Sequence, residues 1–157
     1  MKKNKIISVI AVLLIISGIA LAILPSFSNQ TLKNNSETVI KELDEISHET
    51  LKDNQDNEGE FNFSAITSIS PTTTLINSPN YNKNQIIGQL VVPELDINLT
   101  LFNTLNDGNL LAGVTTMKTQ QVMGQGNYAI AGHYTSSKGV LFSELVNAKV
   151  GQTIRLT

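Results

Sequence analysis

Nineteen uncharged and mostly apolar residues, Ile6 to Leu24 (IISVIAVLLIISGIALAIL), stand directly behind Met-Lys-Lys-Asn-Lys at the start of a 157-residue chain. As a helix this stretch is about 28 Å long, close to the thickness of a bilayer's hydrocarbon core. Inside hydrocarbon a lone segment can satisfy its backbone N–H and C=O groups only as a helix, so the run predicts a transmembrane helix over residues 6–24. Lysines on the short N-terminal flank predict that residues 1–5 are cytoplasmic and the remainder lies across the membrane. Other readings of the run stay open. Ala20-Leu21-Ala22 fits the small-x-small pattern of a cleavable signal peptide, and a core helix of this length is a third alternative. Anchor and signal both place the chain after Pro25 outside the cytoplasm.

Composition narrows what that remainder can do. Its net charge of -2 and lack of a long basic run give no electrostatic footprint for nucleic acid. With no cysteine anywhere, disulfides, thiolate metal sites and a cysteine nucleophile are excluded within these residues. No second His or Cys stands at ligand spacing from either histidine, so neither a metal nor another cofactor is expected.

Residues 25–84 read as an extracytoplasmic stalk or linker, rich in Asn, Ser, Thr, Glu, Asp and Lys. Within it Leu32, Val39 and Ile46 recur every seven residues with Leu43 on the same side. Glu37 with Lys41 and Lys41 with Glu45 are i,i+4 pairs, which predicts a solvated helix over roughly 35–52. A homodimer through that seam stays open but is unsupported, because Ser36 and Thr50 occupy core positions of only two heptads. Residues 53–84 are expected to be mostly irregular. His48, among acidic neighbours, reads as a solvated surface residue.

Residues 85–157 carry the β-type pattern. Ile87 to Val92 and Leu99 to Phe102 predict a hairpin around Pro93, Glu94 and Asp96. Leu110-Leu111 reads as one helical turn, Gly113 to Met117 as a strand, and NYAIAG (127–132) as another that delivers His133 at its end. GVLFSELVNA (139–148) predicts one short helix burying Leu141, Phe142, Leu145 and Val146, and GQTIRLT (151–157) begins a further strand. Several closely spaced short strands favour an all-β barrel or sandwich. A histidine where a strand opens into a loop occupies a common place for a catalytic group, although a structural or surface role fits the same pattern.

Ile87 to Thr157 resembles the first half of a class A sortase catalytic domain. The likeness is carried by IGQLVVPELDINLTLF, by NLLAGVTTMKTQQVMGQGNYAIAGH with Ala-Gly-His at 131–133, and by GVLFSELVNAKVGQTIRLT. The resemblance implies a membrane-anchored transpeptidase of Gram-positive bacteria with a closed β-barrel. Such an enzyme cuts an LPXTG-type signal between Thr and Gly and joins the Thr to a cell-wall precursor amine of the lipid II type. Its partners would be LPXTG-containing surface proteins, the amine acceptor and the membrane.

Of the family's Cys, His and Arg, only the histidine has a counterpart here, His133. The family's Cys and Arg lie on strands beyond Thr157. Arg155, the only arginine in the sequence, falls on an earlier strand than the family's catalytic arginine and is not assigned its role. Ser136 and Ser137 read as loop residues and not as substitute nucleophiles. Pro93 resembles a family proline near the substrate groove, although fixing a turn explains it equally. Asn106 and Asp107 fall in a loop where some class A members bind calcium. One carboxylate is too few for a cation that takes about six to eight oxygens, so no metal site is expected.

Two functions follow from the resemblance: a sortase of which this chain is an incomplete, inactive part, or a membrane-tethered module that binds sorting signals or partners without chemistry. The predicted architecture is therefore an all-β domain, the first half of a sortase-like barrel over 85–157 with one short helix, behind an anchor and a stalk. A barrel closes by pairing its first and last strands, and half of one buries too little apolar surface to offset conformational entropy. Residues 85–157 alone are expected to show no cooperative unfolding in urea by circular dichroism. A sigmoidal transition with a slope of about 1 kcal/mol/M or more would mark them as a complete folding unit.

Overall fold

The computed structural model describes the backbone of residues 2–157 and the side chains of 5–78 and 80–157. Met1, part of the flank expected to be cytoplasmic, lies outside the described residues. A single helix, α1 (Lys2–Glu45), contains the whole apolar run and continues well past it. Pro25 sits inside α1 one residue beyond that run, where it lacks the N–H that would bond the Leu21 carbonyl.

Past Pro25 the helix is amphipathic. Ser28, Leu32, Ser36, Val39 and Leu43 are buried at spacings of four, four, three and four, while Lys33, Glu37, Lys41 and Glu45 are exposed. The expected solvated stalk helix is thus corrected: its heptad-like seam packs on the chain's own sheet. α1 ends at Glu45, and Ser47 restarts helix α2 (His48–Asp56) by accepting from the Thr50 N–H at 3.1 Å. Farther on, Ser70 and Thr73 form a reciprocal capping box, and Pro71 at the first turn opens α3 (Pro71–Asn77). Much of 53–84 is therefore helical or in single 3-10 turns, and the irregular expectation holds mainly between α2 and α3.

Five strands form one sheet in the order β4-β3-β2-β1-β5. β1 (Ile86–Val92) and β2 (Ile97–Phe102) make the expected antiparallel hairpin, joined by a 3-10 turn at Pro93–Leu95 and by Asp96 at φ 53°. β3 (Val114–Thr116) runs parallel to β2 after a crossover containing α4 (Asp107–Leu110), and β4 (Ile130–Gly132) returns antiparallel to β3. The short β5 (Arg155–Leu156) pairs antiparallel with β1. A Cβ on Gly88 would lie 2.1 Å from the Thr157 carbonyl oxygen, so only glycine admits this close approach.

Three expectations are corrected here. The chain is not all-β, since about half of it is helical when single 3-10 turns are included. The sheet is not a closed barrel, because its edges β4 and β5 lie at opposite ends and do not pair. In place of the helix expected over 139–148 there is a 3-10 stretch, Ser143–Asn147. Leu141 is buried there, but five residues are too short to present an apolar face, and Leu145 and Val146 stay 40% and 69% exposed.

β2 is buried on both faces. Leu99 and Leu101 join Leu90, Val114, Val140 and Leu32 in the larger apolar cluster, whereas Phe102 joins Ile86, Ala112, Val39 and Leu43 in the second. Side-chain amides satisfy backbone groups where helices meet the sheet: Asn54 Nδ2 donates to the Ile86 carbonyl at 2.8 Å, and Asn103 Nδ2 to the Asn54 carbonyl at 2.6 Å.

The seating of α1 can be measured. Truncating the fully buried Leu32 to Ala is expected to weaken it by about 2–5 kcal/mol, the usual cost of deleting a core leucine. The check is limited proteolysis of residues 28–45 in membrane-bound protein, with exposed Lys33→Ala as the control. Equal cleavage rates would show that the stripe does not hold the helix down.

Candidate active site

β4 is three residues long and lies at the sheet edge, yet it is held from several sides. Thr115 pairs with Ala131 and Val114 with Gly132. At the strand's entry Gln121 clamps Ala129, donating from Nε2 to its carbonyl at 2.8 Å and accepting from its N–H through Oε1 at 2.6 Å. A Cβ on Gly132 would come within 2.5 Å of the Phe142 ring, so the bare backbone lets that ring pack against the end of β4. The next residue is His133, whose carbonyl accepts the Phe142 N–H at 3.1 Å. Backbone bonds before and after it thus fix where the imidazole leaves the sheet.

The imidazole is half-buried, and among the described residues nothing hydrogen-bonds to it. Burial holds its pKa below the ordinary 6.5, and the Asp107 carboxylate pulls weakly the other way. At neutral pH the ring is therefore uncharged, with a free nitrogen lone pair and one N–H.

The other residues singled out in the sequence fall in different places. Asp107 accepts from the Thr67 N–H at 2.9 Å, from Thr67 Oγ1, and from Asn77 Nδ2 at 3.2 Å, so both oxygens tie the 67–77 segment to α4. Asn106 caps α4 by accepting from the Asn109 N–H at 2.9 Å. No three His, Asp or Glu side chains converge among the described residues. Ser136 is exposed and Ser137 Oγ accepts from Asn29 Nδ2 on α1; neither hydroxyl bonds His133. Arg155 lies on β5, with three strands between it and β4, so the structure does not bring it to the histidine. Pro93 opens the hairpin turn and borders a groove of about 850 Å3 that also touches Lys138, Glu144 and Lys149. His48 is exposed at the start of α2.

The Gln121 clamp and the Asp107 contacts escape a reading of the sequence. Their partners lie eight, thirty and forty residues away in segments without periodicity, and no local pattern encodes them.

Residues 90–157 match the Sortase domain family. The chain is 35% identical over 150 residues to Sortase A of Listeria monocytogenes, covering 94% of this chain and 66% of that protein. It is also 35% identical over 159 residues to Sortase A of Bacillus anthracis, covering 99% of this chain and 71% of that one. The crystal structure of Listeria monocytogenes sortase A superposes with a TM-score of 0.45 at 45% identity, covering 46% of this chain and 50% of that chain. The chain belongs to the sortase family. It spans about two thirds of the length of the Sortase A proteins it matches, and its N-terminal apolar helix fits a single-pass membrane anchor.

The depressed histidine pKa has a definite sign. Between the folded value and about 6.5 the unfolded chain binds more protons, so His133 lowers stability as pH falls below about 6.5 and adds no slope above it. An NMR titration of labelled histidine should give a His133 midpoint below 6.5. His133→Gln should lose less stability than the parent when urea denaturation at pH 7 is repeated at pH 5; equal losses would refute the assignment.

Proposed function

We propose that this chain is the histidine-bearing N-terminal part of a class A sortase, anchored with its N-terminus in the cytoplasm and its domain outside. Its substrates are LPXTG-type sorting signals, and its acyl acceptor is an amine of the lipid II type. The observation that carries this reading is His133 at the exit of an edge strand, in a family-matched region. The nucleophilic cysteine and the arginine are assigned to strands following Thr157.

In the first half-reaction a cysteine thiolate attacks the Thr carbonyl carbon of the signal. The bond to the Gly nitrogen breaks, the protonated His133 imidazole gives its proton to the departing amine, and a thioacyl intermediate remains. An incoming amine then attacks the thioester, losing a proton to neutral His133 as the thiolate leaves. The arginine would stabilise the oxyanion in both steps. A ring that is neutral in isolation suits this cycle, because an adjacent thiolate raises its proton affinity.

The absence of cysteine favours a second reading, a tethered module that binds sorting signals without cleaving them. Intact mass of the membrane-bound product, with the coding frame beyond codon 157, separates the two. A product heavier than 17.1 kDa that contains Cys and joins an LPXTG peptide to an amine supports the enzyme. In that protein His133→Ala should lower the rate by about 10²–10⁴-fold, as loss of a general acid–base group does. A 17.1 kDa product that binds the peptide and never cleaves it establishes the module and overturns the enzymatic assignment.

A further inference from the structure

The same helix carries the apolar run and seats the domain, which orders surfaces by their distance along α1 from that run. The apolar run of α1 ends at Leu24, Ser28 is already buried, and Asn29 hydrogen-bonds the domain. Asn29 lies about 7 Å beyond Leu24 along the helix, close to the depth of one headgroup layer. Its partner is Ser137, in the loop that leaves His133. The next bonds from α1, Asn35 to Ser78 and Glu42 to Tyr81 and Lys83, lie progressively farther out.

We infer that the loop Tyr134 to Gly139 rests on the headgroup layer of the membrane, so that His133 opens toward the bilayer surface. Two exposed side chains suit that layer: the Tyr134 ring, 59% exposed, and the Lys138 ammonium. On α1 itself Phe27, 61% exposed, occupies the same level. Aromatic rings with polar edges are enriched at this depth, and a lysine there meets anionic headgroups. Inside the loop, Thr135 Oγ1 accepts the Ser137 N–H at 3.2 Å and donates to the Ser137 carbonyl, which keeps the turn compact beside α1. The contact would place the site at the height where a lipid-borne amine is presented.

This inference rests on the anchor reading of α1, and the test separates the two. An environment-sensitive fluorophore is encoded at position 15, 45 or 136 of the full membrane-bound protein, reconstituted in vesicles of phosphatidylglycerol and phosphatidylcholine. Lipids brominated at mid-chain or near the headgroup serve as quenchers. Position 136 is expected to be quenched by headgroup-proximal bromine at least three-fold more than position 45, which lies about 30 Å out along α1. Tyr134→Ser combined with Lys138→Glu should at least halve the quenching at 136 and leave position 15 unchanged. Pure phosphatidylcholine should weaken it as well. If 15 is quenched by mid-chain bromine while 136 matches 45, the loop contact is refuted and the anchor stands. If 15 is not quenched, the anchor fails and the loop contact fails with it.

Discussion

Everything after the apolar run is arranged around the seating of α1 on the sheet. A strand buried on both faces needs a cover on each side, and for β2 the interior cluster supplies one while Val39 and Leu43 of α1 supply the other. Without the helix, Phe102 and Ile86 would lose the Val39 and Leu43 side chains that pack on them. The helix therefore acts as one layer of a two-layer domain, which is how a sheet too small to close on itself still buries its apolar residues. That layer is continuous in the chain with the apolar run, both belonging to α1.

Contacts along α1 also explain the less regular segment between α2 and β1. Tyr81 donates to Glu42 at 3.0 Å, and Glu42 pairs with Lys83 at 2.6 Å. Burial, together with this carboxylate, pushes the Tyr81 hydroxyl up to about 12, so it remains a donor across the physiological range. Farther along, Asn109 joins three segments, donating to the Thr104 carbonyl and to Gln85 Oε1 and accepting the Asn82 N–H. Polar side chains that look like linker composition are here the groups that satisfy backbone atoms where loops cross the sheet.

That double use of polar residues marks the limit of what the sequence discloses. The β1–β2 hairpin, β3, and His133 at the end of β4 were legible, because alternation and turn residues act over a few positions. The burial of Leu32, Val39 and Leu43 was visible as periodicity, but its target was not: an amphipathic stripe specifies a face to cover and says nothing of which surface covers it. The all-β class rests on strand spacing and on the family resemblance, and part of the helix that overturns it, α1 between Pro25 and residue 35 together with α3, falls where Asn and Ser suggested a linker. At the site, the histidine stood out by type and position. The clamp by Gln121 and the electrostatic pull of Asp107 depend on tertiary proximity and left no signature.

His133 is consequently better prepared than a lone histidine needs to be. Its carbonyl is bonded, the preceding glycine is pressed against an aromatic ring, and the strand entry is clamped in both directions, yet the imidazole has no partner among the described residues. Its ring nitrogens are not among the buried unpartnered atoms, so solvent can satisfy them until a partner arrives. A fixed backbone with an open ring suits the proposed role, in which a substrate or another group comes to the imidazole. It also accounts for the charge state. A ring kept neutral by burial responds to the arrival of an anion, so a thiolate brought beside it would set its protonation, and the sheet edge supplies the fixed position from which it can do so.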